Sequence, residues 1–113
     1  MSNYTPPTAD ILFAMAHVAD LEGILATDRF GHVDMESISA VVDEVGRFMA
    51  EEVAPTNVDG DRIGSQWQRD GTVVTPDSFN PAYQKWVASG FGAMPFEAEF
   101  GGANFPWITA IAV

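Results

Sequence analysis

The sequence has no cysteine, only five basic side chains and two histidines, and no long apolar run. Without cysteine, a disulfide scaffold, a thiolate nucleophile and a cysteine-ligated zinc or iron–sulfur centre are all excluded. The same absence fits a reducing compartment, and a cytoplasmic location is expected. Against the five cations stand 16 carboxylates, for a net charge of −11. A chain this acidic repels phosphate, which argues against nucleic-acid binding and against adhesion to anionic membranes. The stretch from Ile11 to Ala19 is interrupted by His17 and is too short to cross a bilayer. Met1 to Pro7 has neither a basic region nor a long apolar run, so no secretory signal is expected there.

What is present is a core-forming composition. The 113 residues are 47% hydrophobic and include eight Phe and three Trp, enough for one small packed domain and too short a chain for two. The charge is uneven. Residues 1–61 carry 12 acidic and 2 basic side chains, while residues 62–113 carry 4 and 3. An acidic helical half beside a near-neutral, aromatic-rich half suggests that the second packs against something.

The periodicity is helical. Thr8 is a candidate N-cap, with Asp10 in the first turn, followed by Ile11, Leu12, Met15, Val18 and Ala19 on one face. Leu21 to Leu25, with Gly23, is expected to end or bend that helix. The strongest helical pattern runs from Met35 to Val53 behind an Asp34 cap. Its face carries Met35, Ile38, Val41, Val42, Val45, Phe48 and Met49, and Pro55 is expected to stop it. Thr56 to Pro76 reads as turns and short extended pieces, with turn signals at Asp59-Gly60-Asp61 and Arg69-Asp70-Gly71. Thr72 to Thr75 is β-branched and can pair locally with Gln66 to Gln68. A third helix is expected with Asn80 as N-cap, Pro81 at its first position and Gly90 past its end, presenting Tyr83, Trp86 and Val87. Pro106 opens a fourth at Trp107. That helix has no C-cap, so the chain reads as a piece of something longer.

Several groupings invite a chemical reading. His17 shares helical spacing with Asp10 and Asp20, and His32 lies near Asp28 and Asp34, but an isolated helix or loop histidine is ordinarily solvent-facing. Asp43-Glu44 and Glu51-Glu52 are paired carboxylates. A general base needs a pKa raised inside a cleft, and these sit on the polar face of an amphipathic helix. Asp59-Gly60-Asp61 lacks the distal glutamate of a calcium loop. Gly90, Gly92, Gly101 and Gly102 lack the strand–loop–helix order of a phosphate cradle and fit turns that need positive φ. The more informative signal is Phe91, Phe96, Phe100, Phe105 and Trp107 within 17 residues, more than a small helical unit readily buries.

An ordered series of short motifs adds a family. Gly60-Asp61-Arg62-Ile63-Gly64, Asp70-Gly71-Thr72-Val73-Val74-Thr75-Pro76, Phe79 to Trp86, Gly90-Phe91-Gly92-Ala93 and Glu99-Phe100-Gly101-Gly102-Ala103-Asn104-Phe105-Pro106 together resemble the amino-terminal region of acyl-CoA dehydrogenases. Tyr4, Pro6, Asp10 and Phe13 are similar to the opening of the longer subgroup that includes 3-methylmercaptopropionyl-CoA dehydrogenases. The departures are Phe91 at a position where family members often have Trp, and Pro95 set further from the double glycine.

The resemblance implies an all-α fold with little or no β-structure. Residues 1–33 would form an extension with one helix, and residues 34–113 a truncated helical domain. It implies a flavoenzyme of fatty acyl-CoA metabolism, continued by a middle β domain and a C-terminal helical bundle. A carboxylate there takes the α proton, FAD takes the β hydride, and electrons pass to an electron-transfer flavoprotein. Assembly as a homo-oligomer is also implied. No residue of this sequence matches the family's base, flavin or metal positions, so none is assigned. The rival reading is a stand-alone acidic helical module that docks a partner through Phe91 to Trp107.

Overall fold

In a computed structural model, which describes residues 3–113, six α-helices and one two-stranded hairpin follow one another. Met1 and Ser2 of the opening segment lie outside the described residues. Helices α1 (Thr8–His17), α2 (Leu21–Leu25), α3 (Met35–Phe48) and α6 (Trp107–Ala112) build the core. It is centred on Met15, Leu21, Val33, Ile38 and Val42, with Ile11, Leu12, Leu25, Phe105 and Ile108 against it. The expected all-α architecture is the observed one.

The first helix departs from expectation at both ends. Pro7, not Thr8, stands at the N-cap, and its side chain makes no capping hydrogen bond. Thr8 is the first helical residue and packs on α3 instead. A Cβ added to Gly46 would lie 2.8 Å from Thr8 Cγ2 and 3.0 Å from Pro6 Cβ, so glycine there lets the N-terminal segment lie against α3. Leu21–Leu25 does not bend the first helix but is a separate one. Asp20, at φ 52°, reverses the chain and caps α2 by accepting a hydrogen bond from the Gly23 N–H at 3.3 Å. Val18 therefore falls beyond α1 and is exposed.

Asp34 caps α3 as its sequence position predicts. Its Oδ1 accepts from the Ser37 N–H at 2.7 Å and the Ser37 O–H at 2.6 Å. The hydroxyl bond, then the amide bond, holds this carboxyl below its ordinary pKa. The charged form thus stabilises the fold above the unfolded-state pKa of about 3.9, and the contribution fades as pH falls through the lower folded-state value. An Asp34→Asn variant keeps a capping oxygen and removes the titration. In urea unfolding the parent chain is expected to outlast the variant near neutrality and to lose that margin below about pH 4. A margin independent of pH would disprove it.

The helical run ends at Val53, ahead of Pro55, as expected. Residues Met49–Val53 widen into one π turn, closed by Ala54 N–H donating to the Met49 carbonyl at 2.8 Å, and α4 (Thr56–Arg62) starts directly after Pro55. At φ −61° the proline stands at the head of α4, where its missing N–H costs no hydrogen bond. Asp59-Gly60-Asp61 is accordingly helical rather than a turn.

Strands β1 (Gln66–Trp67) and β2 (Val73–Val74) pair antiparallel, with Gln66 opposite Val74 and Trp67 opposite Val73. Their turn is the expected one, with Gly71 at φ 88° and Asp70 accepting from the Thr72 N–H at 3.0 Å and the Thr72 O–H at 2.7 Å. Helix α5 (Phe79–Ser89) ends at Gly90, φ 75°, as expected. Asn80 lies inside its first turn instead of capping it, and Ser78 occupies the cap position without a side-chain bond.

The chain is a spread slab of 53 × 34 × 20 Å. Its radius of gyration is 17.0 Å, where a compact chain of this length has about 13 Å. Its accessible surface is 7725 Å², against about 6,100 Å² for a compact monomer of this mass. Helices α4 and α5 and both strands bury no residue fully among those described.

Thr109, on α6, has a fully buried hydroxyl with no hydrogen-bond partner among the described residues. Such a group carries a desolvation cost with no return. Thr109→Val is expected to leave the unfolding midpoint unchanged or raise it. A loss above about 1 kcal/mol would show that the hydroxyl is satisfied after all.

Candidate functional site

The π turn aims Met49 and Val53 to the side on which α5 lies, opening an apolar cleft between the two. Thr56, Thr75, Phe79, Tyr83 and Trp86 complete a cavity of about 510 Å³, within the range of small-molecule sites. A second lobe of about 540 Å³ shares Met49, Val53, Thr56 and Phe79 and runs to Tyr4, Asn57 and Asp61. The inner end of α5 is held by a ring cluster: Phe48–Trp86 and Trp86–Phe91 centroids are each 5.7 Å apart, and Phe48–Phe91 6.2 Å. Glu52 and Lys85 pair at 2.5 Å from the π turn to α5, an exposed bridge that orients more than it stabilises. This cleft was not anticipated from the sequence. π turns concentrate at functional sites, and the only trace of this one is the proline at 55.

Around the cleft the expected face of α5 is present but not covered. Tyr83 and Val87 are exposed, and Trp86 is half-buried. Phe100 and Trp107 are 74% and 60% exposed. Phe96 is also exposed and meets Trp107 edge-on at 5.7 Å. Phe91 and Phe105 are half-buried. Of the five clustered aromatics, three thus face outward. A smaller apolar groove of about 290 Å³ runs between α1 and α6, lined by Ile11, Met15, Val18, Ile108 and Ile111.

The polar candidates have local partners. His17 lies 4.7 Å from the Phe13 ring. The Nε2 of His32 is 3.1 Å from the Ala103 carbonyl, and Asp34 is engaged by Ser37. Among the described residues no three His, Asp or Glu side chains converge to hold a metal ion. Arg47 ties Glu44 and, at 3.4 Å, Glu51; Asp43 is exposed. Glu44, Glu51 and Glu52 each have a cation beside them, Arg47 or Lys85, and none of the pairs is enclosed in a cleft.

The glycine-rich segment folds on itself. The N–H groups of Gly101, Gly102 and Ala103 donate to the carbonyls of Ala98, Glu97 and Met94, and those of Asn104 and Phe105 to Phe96 and Met94. A phosphate cradle needs such amides free and aimed outward. FAD carries a pyrophosphate, and the residues here do not fit it. The amides are spent internally, and Glu97 and Glu99 flank them, with Arg29 reaching Glu97 at 3.7 Å.

In sequence, this chain is similar to an acyl-CoA dehydrogenase amino-terminal region. It is 30% identical over 109 residues to the 3-methylmercaptopropionyl-CoA dehydrogenase of Ruegeria pomeroyi, a match covering 96% of the chain and 18% of that protein. It is 25% identical over 107 residues to the broad-specificity linear acyl-CoA dehydrogenase FadE5 of Mycobacterium tuberculosis, covering 94% of the chain and again 18% of the relative. No protein-family model matches. The chain therefore spans less than a fifth of the length of these relatives. Among the described residues no helix is long and apolar enough to cross a membrane.

Proposed function

We propose that the chain is the amino-terminal helical part of a cytoplasmic, FAD-dependent acyl-CoA dehydrogenase that carries out α,β-dehydrogenation of an acyl-CoA thioester, and that residues 1–113 are not catalytic alone. The observation that carries this is the pairing of two facts: near-complete coverage of the chain by enzymes more than five times its matched span, and a slab whose α5 and aromatic faces lie open. Its role is that of a wall. The apolar faces meet the middle β and C-terminal helical domains, which supply the base and the flavin site, while acyl-CoA and an electron-transfer flavoprotein engage the whole enzyme. We place it in the longer subgroup on the opening Tyr4, Pro6, Asp10 and Phe13, with residues 1–33 as that subgroup's extension.

Two measurements test the reading. The encoding frame is expected to continue past Val113 into a β-rich domain, whereas a stop codon would favour the acidic interaction module, to which the exposed Phe96, Phe100 and Trp107 lend themselves. Purified residues 1–113 incubated with FAD and desalted are expected to show no flavin absorbance; stoichiometric retention would overturn the assignment of the flavin site to other domains.

A further inference from the structure

We draw no further inference here: the strongest candidate, the apolar cleft between the π turn, α4 and α5 that Phe79, Tyr83 and Trp86 line, is an unpartnered face, and nothing in the structure shows what covers it.

Discussion

Gly102→Ala is expected to destabilise the chain by about 1–3 kcal/mol, the range for forcing extra volume into a filled space, whereas Gly101→Asn is expected to cost about 1 kcal/mol or less. The two adjacent glycines are needed for different reasons. Gly101 sits at φ 82° with nothing within 4 Å of where a Cβ would stand, so its requirement is purely one of backbone conformation, which Asn tolerates. Gly102 has an ordinary φ, but a Cβ there would overlap the Phe96 carbonyl and come within 2.7 Å of the Ala93 carbonyl. These are backbone atoms and cannot rotate away. The Phe96 oxygen also accepts the Asn104 N–H at 2.9 Å, so displacing it opens the loop that holds Phe105 on the core and Ala103 against His32. Urea unfolding reads the stability, and amide exchange at Asn104 reads the loop. Equal stability of Gly102→Ala and the parent, with Asn104 still protected, would show that the close approach is not a constraint.

That pair also marks where the sequence was and was not legible. The run Glu99-Phe100-Gly101-Gly102 could be read as a turn, and it is one, yet only Gly101 needs the positive φ that the residue type suggested. Gly102 answers to a tertiary contact that no local rule sees. The same division recurs elsewhere. Asp34, Gly71, Gly90 and Pro106 act where their local chemistry placed them, because caps, turns and helix starts are decided within a few residues. Pro55 marks the end of the run from Met35 to Val53 as its local chemistry dictates, but it also heads α4, which the turn signals at Asp59-Gly60-Asp61 concealed. The apolar stripe of α5 was legible as a stripe and not as an exposed one, since periodicity reports which face is apolar and not what is available to cover it. The cleft arises from both effects together, so it could not be read in advance.

Ile38→Ala is expected to abolish the cooperative unfolding transition of the isolated chain. Removing a large aliphatic side chain from a closed core costs about 2–5 kcal/mol, and whole domains hold only about 5–15 kcal/mol. This chain belongs at the low end. Among the described residues its buried hydrophobic side chains are Met15, Leu21, Val33, Ile38, Val42, Val45 and Met94, while many larger ones, Phe13, Trp67 and Phe100 among them, lie open to solvent. Ile38 has no exposed surface and stands among Met15, Leu21, Val33 and Val42, so its loss leaves a void bounded by α1, α2 and α3, which are joined through it. Val74→Ala, on the exposed hairpin, serves as the control and is expected to shift stability by no more than about 0.5 kcal/mol. Circular dichroism against temperature separates the cases: a sloping, featureless melt for Ile38→Ala beside a sigmoidal one for Val74→Ala. If both variants melt like the parent, the small buried cluster is not what holds the helices together, and the open faces must already be closed by contacts between copies of the chain. That alternative has its own signature, because a melt stabilised by association moves to higher temperature as the protein is concentrated, whereas one set by the core around Ile38 does not.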